Sequence, residues 1–418
     1  MKDRPAQFWS FGRNPVVLWS AFILVHLWLG LVNLYGPGLP LGDVAIVYKF
    51  WTDQIFIGGF WVGINSSWVY PILAIFPMLV AAAFGPEQYS SAWLSLVLLL
   101  DVLGFVAVVG WHRQPKNVVA GWWWIGFLLL LGPIALGRID AITVPLAITG
   151  LMLASTRPRT AAAILTVAAW VKVWPAALVG ALVLSARGRW RVVGAAAGVS
   201  VLVAGGALLF GSGANVVSFI TQQTGRGLQV ESPISTFWMW QAFARVPGTF
   251  AYYDQSLLTW QVTGDGVGVA SMLMTPLMAL AVVAVLLAGI LALRRGATAP
   301  ELLPTVSLGL VAALIAFNKV GSPQFISWLA VPVILGLATP LAGNRRWFAT
   351  PAVLVAVIAA LTQTIYPYLY GWLLSLNPLL LVVLSARNLL LFFVLGWAVF
   401  TLLTRERQRD ARAVPAGL

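Results

Sequence analysis

Long apolar runs, most close to twenty residues and separated by short basic stretches, leave this chain one class of fold. A helix of about 20 residues crosses the ~30 Å hydrocarbon layer of a bilayer. Lipid offers no partner to a bare backbone, so each run must close its own hydrogen bonds as a helix. The 418 residues are 60% hydrophobic and 9% charged, whereas a soluble domain is about a quarter charged. The expectation is an all-α polytopic membrane protein, with one membrane-embedded domain over residues 1–418.

Cysteine is absent, which removes disulfides, thiol nucleophiles and thiolate metal sites. The two histidines, His26 and His112, lie far apart, so a His-based zinc site lacks ligands. No cofactor is implied, and a divalent metal has no motif behind it. Asp43 and Asp53 are not a DxD pair and would not share a helix face. The first apolar run, 16–36, follows a basic start (Met1-Lys2-Asp3-Arg4) and reads as a retained span rather than a signal peptide. A net charge of +13 raises nucleic acid as a partner, but the basic residues are scattered in small groups between apolar spans. The partner they fit is the lipid bilayer.

Those groups set the topology. They are Lys2/Arg4/Arg13, Arg113/Lys116, Arg157/Arg159, Arg187/Arg189/Arg191, Arg294/Arg295, Arg345/Arg346 and Arg405/Arg407/Arg409/Arg412. Cytoplasmic loops collect Lys and Arg, so all seven belong inside. Twelve crossings then fit: 16–36, 91–111, 118–136, 139–155, 161–173, 175–186, 192–211, 267–293, 302–317, 324–340, 348–366 and 379–403. Both termini are cytoplasmic, with 405–418 a short tail. Segments 161–173 and 175–186 are too short for straight crossings and read as a hairpin broken at Pro175 or as one longer helix. Residues 69–84 read as a re-entrant or interfacial helix. The outer face holds two long loops, 37–90 and 212–266, and short turns that include Arg138-Ile139-Asp140, Lys172-Val173-Trp174-Pro175 and Asn318 to Gln324.

The charges that break the basic-inside pattern gather on that face, and charge at membrane depth usually marks a site. Asp43 follows the turn-rich Gly36-Pro37-Gly38-Leu39-Pro40, ahead of Val44, Val47, Tyr48 and Trp51 at helical spacing. It reads as the N-cap of an interfacial helix, as a base that takes a proton from an attacking hydroxyl, or as both at once. Lys319, in Asn318-Lys319-Val320-Gly321-Ser322-Pro323-Gln324, either snorkels to headgroups or binds a phosphate with Asn318 and Gln324. Arg226 and Glu231 lie in a loop that either wraps a polar ligand or is simply exposed. Arg138 and Asp140 read as a local ion pair. Lys172 pairs with Asp140 or with a ligand phosphate, and Arg387, inside the last span, needs a partner. His26 and Asp101 read as helix–helix hydrogen bonds. Most of the 21 tryptophans belong to the interfacial belts, which is the default reading; Trp51, Trp61, Trp68, Trp238 and Trp240, near the outer loops, are the candidates to stack on sugar rings.

With these segments in view, the chain resembles the C-type, membrane-embedded glycosyltransferases that use polyprenyl-phosphate sugars, and most of all the actinobacterial alpha-mannosyltransferases of family 87. The carriers are Asp43-Val44…Tyr48…Trp51, Trp68-Val69-Tyr70-Pro71, Gly137-Arg138-Ile139-Asp140, Lys172-Val173-Trp174-Pro175, Arg226-Gly227-Leu228-Gln229-Val230-Glu231-Ser232, Phe317-Asn318-Lys319-Val320…Gln324 and Ala386-Arg387-Asn388. The Asn-Lys-Val…Gln segment is also similar to one in the eukaryotic enzyme that starts the mannose core of membrane-anchor glycolipids. Family members often have Tyr-Pro-Pro at Tyr70-Pro71-Ile72 and Gln at Arg138.

The resemblance implies an inverting transfer of mannose from polyprenyl-phosphate-mannose to a glycolipid acceptor, a phosphatidylinositol mannoside or lipomannan, at the outer face of the plasma membrane. By that match Asp43 is the catalytic base. Lys319, Arg226 and Lys172 are expected to hold the donor phosphate. Tyr48, Trp51, Tyr70, Glu231, Gln324 and Asn318 are expected to line the sugar or acceptor site. The same fold acting on another sugar such as arabinose, and a glycolipid flippase, are the competing readings. A flippase calls for charges deep in the spans and inverted repeats, whereas here the charges concentrate on one face.

Overall fold

The computed structural model describes residues 12–111, 115–222, 226–339 and 346–404. Every one of the twelve expected spans is a helix. In chain order these are α1 (Pro15–Tyr35), α4 (Tyr89–Val109), α5 (Val118–Leu131), α6 (Asp140–Leu153), α7 (Pro158–Val171), α8 (Pro175–Ser185), α9 (Arg189–Leu209), α11 (Val267–Arg294), α12 (Ala299–Ala316), α13 (Ile326–Ala338), α14 (Ala349–Ile365) and α16 (Pro378–Thr404). Six are long and apolar enough to cross a bilayer: α1, α4, α5 with its extension to Ala135, α9, α11 and α16. The other six are shorter apolar helices. The expected tail, 405–418, and Arg113 lie outside the described residues.

Burial separates the helices into an inner and an outer set. Helix α13 is buried without a break from Ile326 to Gly336, and ten residues of α6 are buried. A helix apolar all round needs cover on every side, and α5, α7 and α12 supply it by packing against these two. By contrast, only 11% of the apolar window of α9 is buried, which leaves its surface for lipid. Helices α7 and α8 are two separate helices packed on each other, broken at Lys172-Val173-Trp174. Proline at the first position of α8 suits a helix start and cannot continue α7. Residues 72–82 form one 3-10 turn and a short helix, α3 (Ile75–Ala82), far below crossing length at 1.5 Å per residue. Inside the bundle, His26 Nε2 and Asp101 Oδ2 are 2.9 Å apart, joining α1 to α4 as expected.

Connections alternate between two ends. One end carries short turns. There Arg295 at the end of α11 hydrogen-bonds the Leu403 carbonyl of α16, and Trp122 of α5 reaches the Gly12 carbonyl at 2.8 Å. The other end gathers the long segments. It holds a π-helical turn over Asp43–Tyr48, α2 (Lys49–Gly58), α3, α10 (Thr236–Phe243) and a hairpin of β1 (Phe250–Asp254) and β2 (Thr259–Thr263). The strands are antiparallel, with Tyr252 opposite Gln261. Beside the two long loops lies the shorter connection between α14 and α16, which holds Tyr366 and α15 (Tyr370–Leu374).

Candidate functional site

The site is built where these loops meet. Asp43 opens the π-helical turn, and its side chain caps no backbone. It pairs instead with Arg138, whose Nε is 3.0 Å from Asp43 Oδ2. The N-cap reading of Asp43 is thereby replaced. So is the local Arg138/Asp140 pair: residues two apart at a helix start do not face each other. Asp140 points inward, accepts from Trp328 Nε1 at 2.6 Å and stands 3.5 Å from Lys172 Nζ. Lys172 therefore has the Asp140 partner that the sequence offered.

Two close backbone approaches fix this arrangement. A Cβ on Gly137 would sit 2.8 Å from the Pro40 carbonyl oxygen. A Cβ on Gly321 would sit 2.1 Å from the Glu231 carbonyl carbon. The first contact brings the α5–α6 turn under Asp43. The second lays the Lys319 turn against the 226–232 loop, where Gln229 N donates to the Lys319 carbonyl at 3.0 Å.

Around Asp43 stands an aromatic wall. Tyr48 is buried, and its hydroxyl accepts from Ile139 N at 3.2 Å. Its ring stacks on Trp51 at 5.8 Å, and Tyr70 meets Trp51 edge-on at 5.9 Å. Trp68 packs edge-on to both Trp51 and Tyr70. Lys172 Nζ lies over the Tyr70 ring, 4.7 Å from its centre. Burial opposes the charge on Lys172, but Asp140, Tyr70 and Asp43 outweigh it and raise its pKa. Arg226 is close enough to act on Lys172 with like charge. Burial lowers the pKa of Arg226, and its Nε is buried without a hydrogen-bond partner. The pair Lys172/Arg226 is thus a concentrated positive charge beside an aromatic wall and a carboxylate.

The remaining predicted residues occupy the other side. Glu231 is buried and bound by Arg387 of α16, with Nη1 to Oε2 at 2.8 Å. Burial raises the Glu231 pKa, and Arg387 pulls it back. That answers the need of Arg387 for a partner. Asn388 extends the contact to the Thr236 hydroxyl at 2.8 Å. Asn318 shapes its own turn, accepting from Val320 N at 2.9 Å and donating to the Leu314 carbonyl at 3.2 Å. Lys319 and Gln324 are buried in the same turn, and burial lowers the Lys319 pKa. Among the described residues no three His, Asp or Glu side chains gather to hold a metal ion.

Sequence reasoning missed Tyr366 and Tyr370. Tyr366 accepts from Arg138 Nη2 at 2.8 Å, and its ring meets Tyr370 edge-on at 5.7 Å. Burial raises both hydroxyl pKa values, and Glu231 adds to the rise. These rings link the Asp43 side to the Glu231 side. Three tyrosines between the last two spans, Tyr366, Tyr368 and Tyr370, were a usable signal, because interfacial tyrosine is common but a polar handle in a short turn points inward.

A model of glycosyltransferase family 87 matches residues 68–317. The chain belongs to glycosyltransferase family 87. The matched stretch of this family 87 protein includes Tyr70, Arg138, Lys172, Arg226 and Glu231, while Asp43 and Lys319 fall outside it. It is also similar to the bacteroid cytochrome c oxidase subunit 1 homolog of Bradyrhizobium diazoefficiens, 23% identical over 168 residues. That stretch is 33% of this chain, and the chain spans 30% of the length of that relative. Among solved structures it is similar to ArnT from Cupriavidus metallidurans in the apo state, with TM-score 0.44 and 15% identity. The match covers 91% of this chain and 75% of that one.

Proposed function

We propose that the chain is a C-type glycosyltransferase that moves mannose from polyprenyl-phosphate-mannose to a lipid-anchored glycan at the outer membrane face. Phosphatidylinositol mannoside and lipomannan are the preferred acceptors. The observation that carries the reading is the Asp43 carboxylate, with 40% of its side chain exposed, in one cluster with Lys172 and Arg226. A sugar transfer from a lipid phosphate needs those two functions.

In the proposed step the acceptor oxygen bonds to the anomeric carbon as its proton passes to Asp43. The bond from that carbon to the phosphate oxygen breaks, and polyprenyl phosphate leaves with the electron pair. Attack opposite the leaving group turns a beta donor into an alpha product. The leaving group is already anionic, so it needs cations rather than an acid. Lys172, Arg226 and Lys319 fill that role. Tyr48, Trp51 and Tyr70 form the wall against which the sugar lies, and Glu231, Asn318 and Gln324 border the acceptor side.

The test is donor profiling of purified protein with radiolabelled polyprenyl-phosphate mannose, arabinose and glucose. Label appearing in a new alpha-linked glycolipid from the mannose donor supports the reading. Turnover with arabinose alone replaces the sugar. Label that changes leaflet on an intact lipid makes the protein a flippase.

A further inference from the structure

Arg138 directs its donors at four partners. Its Nε faces Asp43 Oδ2 at 3.0 Å. Its Nη1 donates to the carbonyls of Pro40 and Gly137, and its Nη2 to the Tyr366 hydroxyl at 2.8 Å. These partners come from three separate segments: the loop after α1, the α5–α6 turn and the segment after α14. A guanidinium has five N–H groups in one rigid plane, so fixing this many also fixes its orientation. The Arg138 side chain is 9% exposed, whereas that of Asp43 is 40% exposed. To reach a ligand, Arg138 would have to abandon partners that water cannot replace. Asp43 can meet a substrate without moving.

We infer that Arg138 is a positioning residue for transfer: it tethers Oδ2 of Asp43, and so presents Oδ1 to the acceptor hydroxyl. The inference rests on the reading of Asp43 as the base. In the step above the proton moves from the acceptor oxygen to Asp43 Oδ1, and Arg138 gains and loses none. Its contribution is alignment. Displacing a reacting group by about 1 Å can cost on the order of 10²-fold in rate. Lysine offers the same charge without the planar fork, so it cannot hold the three segments together.

The experiment uses the full chain reconstituted in vesicles, with radiolabelled polyprenyl-phosphate mannose as donor and a phosphatidylinositol mannoside as acceptor. Turnover and donor KM are measured for Arg138→Gln, Arg138→Lys, Tyr366→Phe, Asp43→Asn and the doubles Arg138→Gln/Asp43→Asn and Tyr366→Phe/Asp43→Asn. Arg138→Gln is expected to lower kcat on the order of 10²-fold with donor KM unchanged within about twofold. Arg138→Lys recovers little of this. Tyr366→Phe, which leaves the ion pair but frees one edge of the fork, lowers kcat less and in the same direction. Each double is expected to be no slower than Asp43→Asn alone, because residues that act as a unit are not additive.

Wild-type kcat in a folded Arg138→Gln overturns the inference. So does a double that multiplies the two single losses, or a donor KM that rises while kcat holds. If Arg138→Gln does not fold, the Tyr366→Phe pair of variants decides. A folded Asp43→Asn enzyme with full turnover sinks the base reading and this inference together. An inactive Asp43→Asn beside an active Arg138→Gln sinks only the latter.

Discussion

At the residue scale, the cations divide by what holds them. Arg138 and Arg387 are locked in ion pairs with Asp43 and Glu231. Lys172 has a loose ion pair at 3.5 Å beside its contact with the Tyr70 ring, and keeps donors for a ligand, since an ammonium carries three. Arg226 Nε lacks a partner. Lys172→Met and Arg226→Met are therefore expected to act on donor use. A charged hydrogen bond contributes about 1.5–3 kcal/mol, so each should raise donor KM by roughly 10–100-fold, measured by donor titration. Lys319 gives a pH prediction. Burial lowers its pKa, so it loses its charge at lower pH than an ordinary lysine does. Donor KM should climb on the alkaline side at a pH where free lysine is still charged. Lys319→Arg, which stays charged, should move that climb to higher pH; an unchanged profile would remove Lys319 from the phosphate site. The sequence made Asp43 conspicuous because acids are rare here. It could not show that Asp43 takes Arg138 while Asp140, the nearer acid, turns to Trp328 and Lys172. Proximity in sequence is a poor guide to ion pairs where separate helices end side by side.

At the element scale, the spans were legible because lipid permits only one solution for an apolar run. The interior of the long loops was less so. The β1–β2 hairpin went unread, although Phe250-Ala251-Tyr252-Tyr253 and Thr259-Trp260-Gln261-Val262 carry the aromatic and β-branched residues typical of strands. The charge count drew attention to loop acids and bases and away from alternation. The loop at 226–232 is tied to α16 by the buried pair of Glu231 with Arg387, 6% and 2% exposed. Removing one member of such a pair strands the other charge, at a cost of roughly 3–5 kcal/mol. Glu231→Gln should lower the thermal midpoint in detergent, and Glu231→Gln/Arg387→Met should regain part of the loss. A double no more stable than the single would deny the pair its structural role.

At the scale of the whole molecule, the long segments assemble the site at one end, and the basic groups that are described lie at the other. Cysteine is absent from the chain, so introduced single cysteines report sidedness without background. Glu87→Cys should react with a membrane-impermeant maleimide on intact cells. Arg159→Cys should react only after permeabilisation, and labelling of Arg159→Cys from outside would invert the topology. Both positions are exposed in the structure. The central claim, a one-sided transferase with Asp43 as its base, turns on a single rate. Turnover of Asp43→Asn is compared with wild type in vesicles, with donor binding and thermal midpoint as controls. Loss of a general base should slow transfer by roughly 10²–10⁴-fold while the protein folds and still binds donor. A folded Asp43→Asn protein that transfers sugar at the wild-type rate would contradict the account.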